Sequence, residues 1–313
     1  MELKLFDLHC DTPYRMYNEH QPLKSNSLHV AIDKISKYKK YIQIAAIWSD
    51  KRKNDDEAYS LFWRILNNFK CEIESNRQSA AICRTFTDAQ QLPDKTAAFF
   101  LAVEDARILS GNIERIHELY DAGVRFMSLN WSGENALGGG YDTNSPLTHL
   151  GRSVVKMAFD LGITIDVSHS SQKVIDEIAE MAASARRPIL ASHSDSNTIA
   201  VHPRNLTDEQ FTKIKRCGGI VGISLARAHL CGNDANISSI ASIIEHIEYF
   251  LGLDGQHTIC LGCDFDGIET TPEGIGSIDQ LDRLADAMSA RNFSDELIHA
   301  IFYQNAYNFL KRL

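Results

Sequence analysis

Short runs of apolar, β-branched and aromatic residues alternate along this chain with longer stretches whose apolar positions recur at helical spacing. The short runs predict strands and the longer ones amphipathic helices, so their alternation predicts repeated βα units. Eight strand-like runs stand out, at residues 4–9, 41–49, 97–104, 125–131, 163–169, 188–193, 220–225 and 258–264. Helical periodicity fills the gaps at 55–74, 113–122, 151–161, 172–183, 208–216, 239–251 and 280–290. Thr207 ahead of Asp208-Glu209-Gln210 forms a capping box, and Gly218-Gly219 stops that helix. Eight βα units predict an α/β fold, a (β/α)8 TIM-type barrel with residues 1–313 as a single domain. Ser294 opens a last helix ending in Lys311-Arg312, expected to pack outside the barrel. The irregular stretches are 10–40, 77–95 and 132–148, and the first and third follow strand ends, where a barrel builds its active face.

With 44% hydrophobic and 23% charged residues in 313, the chain can bury a sizeable core unaided. Its 32 basic and 41 acidic side chains give a net charge of −9, which speaks against a nucleic-acid partner. The first residues lack signal-peptide features, and apolar runs such as 97–103 fall far short of the roughly 18 residues a membrane span needs. A cytoplasmic protein without membrane contact is expected. Seven scattered cysteines, an odd number, fit reduced thiols better than a disulfide framework. Cys260 and Cys263 share a CxxC spacing, but residues three apart on a strand face opposite sides, so they are expected to be packed thiols. The Asn205-Leu206-Thr207 sequon is idle in such a compartment.

The chemistry gathers where the apolar runs end. His9 and Asp11 are two apart, so on a strand both point into the barrel mouth. Glu104 closes the third run, His169 the fifth, His193 the sixth and Asp264 the eighth. Each alone is weak, since an isolated histidine is more often a hydrogen-bonded structural residue. Together, imidazoles and carboxylates without a thiolate set suit an open catalytic site for zinc, manganese or iron. If one carboxylate bridges, three histidines and two acids can hold two divalent ions, an arrangement that generates hydroxide at neutral pH. Glu104 is the expected bridge and Asp264 the general base. Gly138-Gly139-Gly140 lacks a phosphate-loop context and is expected to form a flexible lid. The remaining histidines are assigned no role, with His149 and His202 the two to check.

Over nearly its whole length the chain resembles the membrane (renal) dipeptidase family of zinc peptidases, within the amidohydrolase-type barrels. His9 and Asp11 in Asp-Leu-His-Cys-Asp-Thr-Pro resemble that family's first-strand ligands, and Glu104 in Val-Glu-Asp its bridging glutamate. His169 in Asp-Val-Ser-His-Ser and His193 in Ala-Ser-His-Ser resemble the histidines of the second metal. Arg204 in His-Pro-Arg-Asn-Leu-Thr-Asp resembles the substrate-contacting arginine, and Asp264 in Gly-Cys-Asp-Phe-Asp-Gly the proton-shuttling aspartate. The resemblance implies two zinc ions, dipeptide substrates with tolerance for a D-residue at the C-terminal position, and a homodimer. One departure is Trp131, which stands where the family's fourth strand often ends in a substrate-contacting histidine. Arg204, Asn135 or the metals would then have to stabilise the oxyanion, so Arg204, Trp131 and Asn135 are the expected substrate-facing residues. Two rivals are weighed against this reading: hydrolysis of another small amide such as an N-acyl amino acid, and a catalytically inactive metal-binding module.

Overall fold

The structure, a computed structural model, describes residues 3–232, 234 and 238–313; Met1 and Glu2, part of the amino-terminal reading above, lie outside them. Among the described residues there are nine strands, β1 Leu5–Cys10, β2 Tyr41–Trp48, β3 Ala80–Ile82, β4 Ala97–Glu104, β5 Val124–Ser128, β6 Thr164–Asp166, β7 Leu190–Ala191, β8 Ile220–Ile223 and β9 Ile259–Leu261. They pair in the order β2-β1-β9-β8-β7-β6-β5-β4-β3. Parallel pairing of β2 with β4 along their full length, from Tyr41–Ala97 to Trp48–Glu104, closes eight of them into a (β/α)8 barrel. β3 is the ninth and was not expected. It pairs with Ala97–Phe99 of β4, below the segment Leu101–Val103 that β5 takes, so the two share one edge of β4 in succession. Three residues are too few to show a period, and the helix Phe86–Gln91, capped by Thr85 and Asp88, is similarly short.

Side chains alternate between two apolar layers. Phe6, Leu8, Ile42, Ile44, Phe100, Phe126, Leu190, Ile220 and Cys260 fill the barrel, while Cys263 and the opposite strand faces pack beneath the helices. Cys260 and Cys263 therefore do face opposite sides, and all seven cysteines are unpaired. The last helical segment departs from expectation. Residues 295–310 run through Asp295–His299, a π-turn at Ala300–Gln304 and Asn305–Leu310. Tyr303, Ala306, Phe309 and Leu310 join the interior cluster and plug the N-terminal mouth, rather than lying outside the barrel. Asn305 fastens the plug through its amide, donating to the carbonyls of Gln256 and Ile259.

The strands of the second half stop two or three residues before the runs read from sequence, so His169, His193 and Asp264 sit just past the last ladder bonds. β1 carries an irregularity between Asp7 and Cys10 against β2. A bulge lets neighbouring residues share a face. Leu8 can thus fill the barrel while His9 and Asp11 turn to its mouth and Cys10 packs outward.

Candidate metal centre

Five strand ends deliver His9, Asp11, Glu104, His169, His193 and Asp264 to one place. The two oxygens of Glu104 face different partners. Oε2 lies 3.6 Å from His9 Nε2, and Oε1 lies 2.7 Å from His169 Nε2 and 3.9 Å from His193 Nε2. Asp11 Oδ2 is 3.4 Å from His9 Nε2, while the Nε2 atoms of His169 and His193 are 2.9 Å apart. Ligand atoms of His9, Glu104 and His193, and of His9, Asp11 and Asp264, fall within 4.8 Å of one another. The expected ligand residues are thus brought together.

The donor set fits divalent metal. His9 Nε2 and Asp11 Oδ1 are buried without a hydrogen-bond partner, a costly state that a cation resolves. Burial pushes His169 and His193 well below the usual imidazole range, helped by the Arg204 and His9 charges, so both present lone pairs. Burial raises Glu104 to about 8, Asp11 adding repulsion and His9 opposing it. Asp264 rises to about 7, chiefly by burial, with His9 pulling down and Asp11 pushing up. For His9, burial disfavours the charge, but Glu104 and Asp11 outweigh it and hold the ring well above its ordinary value. Three acids crowded this closely call for positive charge, which bound dications supply.

Backbone geometry supports the crowding. Asp264 adopts φ +60°, a left-handed conformation disfavoured for its side chain and typical of functional sites. The backbone therefore leaves the extended conformation here. Asp266, at φ +67°, turns to accept from Thr12 Oγ1 at 2.6 Å and from the His29 amide at 2.6 Å. Gly267 must lack a side chain, because a Cβ there would overlap the carboxylates of Asp11 and Asp264.

A cavity of about 530 Å³ opens over the centre, lined by Glu104, Asp264, Trp48, Trp131, Tyr141 and Arg204 among others. Arg204 is buried, gives Nη2 to the His193 carbonyl, and leaves Nε and Nη1 without partners. Asn135 does not line the cavity. Its side chain contacts Asp105, the Leu129 carbonyl, Asn130 and the amides of Leu137 and Gly138, so it shapes the loop rather than meeting substrate. Gly139 and Gly140 are close-packed, since a Cβ at either would overlap neighbouring residues, so these glycines permit tight packing instead of forming a flexible lid. Asn205 is buried and bonds the carbonyls of Ala200 and His229.

Two cavity histidines were not assigned from sequence. His202 and His229 lie with ring centroids 4.9 Å apart beside Arg204. His229 sits on a five-residue helix, Arg227–Cys231, which has no period to read. His149 starts the helix His149–Leu161 and is exposed, away from the cavity.

Comparison with known proteins decides the family. The family model described as membrane dipeptidase (Peptidase family M19) matches residues 1–313. The chain belongs to that family. Membership makes it a dipeptidase-like metallopeptidase, a hydrolase whose family implies a divalent metal cofactor and a small peptide substrate. An uncharacterized protein in the pqqA 5′ region of Klebsiella pneumoniae is 30% identical over 264 residues, 81% of this chain and 96% of that one. An uncharacterized dipeptidase of Schizosaccharomyces pombe is 27% identical over 199 residues, 62% of this chain but only 48% of that protein. A metallo peptidase from Rhodobacter sphaeroides, liganded with a phosphinate mimic of the dipeptide L-Ala-D-Ala, shares the fold with a TM-score of 0.90 at 22% identity, covering 100% of this chain and 99% of that one. Among the described residues no helix is long and apolar enough to cross a membrane.

Proposed function

We propose that residues 1–313 act as one metal-dependent barrel that hydrolyses the peptide bond of dipeptides, L,L and L,D, with two divalent ions. The carrying observation is the split carboxylate of Glu104, one oxygen toward His9 and the other toward His169 and His193. His9, Asp11 and Glu104 would hold one ion, and Glu104, His169 and His193 the other. Imidazole and carboxylate donors suit zinc, the metal that the family resemblance implies. Ions bound there would supply a hydroxide nucleophile at neutral pH and polarise the scissile carbonyl.

The chain's own groups do the rest. Asp264, buried beside His9 and Asp11, takes the proton from the nucleophile and returns it to the leaving amine. Arg204 turns its free donors to the substrate's terminal carboxylate, a two-point match that favours short substrates. Trp131 forms an apolar wall of the cavity. The phosphinate mimic of L-Ala-D-Ala bound by the Rhodobacter sphaeroides protein supports acceptance of a C-terminal D-residue. Unpaired cysteines support a cytoplasmic setting, and a homodimer is the assembly proposed.

The test is release of free amino acids from L,L- and L,D-dipeptides by zinc-loaded protein, with Asp264→Asn as control. Turnover lost in the variant supports the reading. No turnover with two ions bound would overturn it in favour of another amide substrate or an inactive metal-binding module.

A further inference from the structure

Ser192, one residue before His193, lies behind the centre and between two of its imidazoles. Its Oγ is 3.2 Å from His9 Nδ1 and 2.7 Å from His193 Nδ1. The same hydroxyl reaches Asp166 Oδ2 at 2.5 Å. Asp166 also takes the Ser168 hydroxyl at 2.7 Å and the amides of Ser168 and Ser192, each at 3.0 Å. All of these residues are buried.

Proton counting fixes the direction of every bond. A carboxylate only accepts, so the single Ser192 proton goes to Asp166. The Ser192 oxygen then has two lone pairs left, facing two imidazole Nδ1 atoms, and each must donate. Ser168 cannot satisfy Ser192 instead, although their oxygens are 3.2 Å apart, because its own proton is drawn to Asp166 Oδ1. His9 and His193 thereby each carry a proton on Nδ1, which leaves Nε2, the nitrogen facing Glu104, as the one a metal ion would take.

We infer that Ser192, anchored by Asp166, is a shared positioning residue that sets the tautomer and orientation of one histidine in each metal site. The inference rests on the two-ion reading above. Partners behind a ligating histidine commonly serve one ring; here one hydroxyl serves two rings in different sites, so the sites are linked through a single atom. The backbone around it is equally constrained. A Cβ at Gly222 or at Gly262 would overlap the Ser192 carbonyl oxygen, so a glycine in β8 and another just past β9 clasp this residue.

The experiment is titration of metal-free full-length protein with Co²⁺ against a competing chelator, read by visible absorption, for wild type, Ser192→Ala and Ser192→Thr. Ser192→Ala is expected to weaken both sites together by about 10- to 100-fold, and Ser192→Thr, which keeps the hydroxyl, to restore them. Weakening of one site alone, or of neither, would overturn the inference. Uptake of only one ion by wild type would instead overturn the two-ion reading, and with it the link. Should Ser192→Ala fail to fold, long-range ¹H–¹⁵N spectra of zinc-loaded wild type decide the matter. Nδ1 protonated on both His9 and His193 supports the assignment, and a bare Nδ1 on either ring refutes it.

Discussion

Trp131 lies over His169, ring centroids 5.7 Å apart and planes 27° from parallel, and its ring centroid is 5.2 Å from that of Trp48. The indole therefore touches a candidate ligand and walls the cavity at once. Replacing it with alanine removes apolar surface that a substrate side chain would bury, about 1.5–3 kcal/mol when the burial is complete. Trp131→Ala is expected to raise KM for leucine- or phenylalanine-containing dipeptides about tenfold or more, with Gly-Gly little affected. Equal losses on both substrates, expressed in kcat, would show that the ring acts by holding His169.

Asp264 is the acid set apart from the histidine pairs around Glu104, yet it lies near His9 and Asp11. If it moves protons, Asp264→Asn lowers kcat by about 10²–10⁴ and leaves two ions bound. Metal analysis beside steady-state kinetics checks this. Loss of one ion would make Asp264 a ligand as well.

How far the chain announces this arrangement depends on the range of the forces involved. The alternation of short apolar runs and helical stretches is local, so barrel closure by eight strands was legible, as were polar groups at strand ends. The same-face spacing of His9 and Asp11 was legible too. That they face the mouth was assured only by the irregularity in β1, without which strict alternation from Phe6 and Leu8 would turn His9 toward the helices. That irregularity arises from pairing with β2, residues distant in sequence. The last helix shows the same limit, because the spacing of Tyr303, Ala306 and Phe309 predicts a buried face but not the barrel mouth that buries it. Asn135 and Gly139-Gly140 owe their roles to loop contacts that no period encodes.

Arg204 offers a sharper test of substrate class than metal content does. Its unpartnered Nε and Nη1 are buried, and a charge-assisted hydrogen bond contributes about 1.5–3 kcal/mol. Arg204→Ala is expected to reduce kcat/KM for free dipeptides by about 10- to 150-fold. Dipeptide amides, which lack the terminal carboxylate, should be poor substrates for wild type and no poorer for the variant. If the variant loses activity equally on both, Arg204 acts through the His193 carbonyl it bonds rather than on substrate.

His29 makes stability depend on pH in a definite direction. Burial lowers it to about 4, with Lys34 and Arg15 adding repulsion, and its Nδ1 accepts the Asp266 amide at 3.0 Å. The unfolded chain binds this proton below about 6.5, the folded protein only below about 4. The stability linked to the neutral ring is thus complete above pH 6.5 and is lost as pH falls toward 4. Its size is about 2 kcal/mol once partial exposure of the ring is allowed for. Asp266, raised to about 6 mainly by burial, works in the opposite sense, since the folded state keeps its proton longer. Comparing wild type with His29→Gln cancels that contribution if Asp266 keeps the same environment in both. Denaturant unfolding at pH 4.5 and pH 7 should therefore show a larger loss on acidification in wild type than in the variant. Equal losses would mean that the partly buried ring accepts its proton at an ordinary pH.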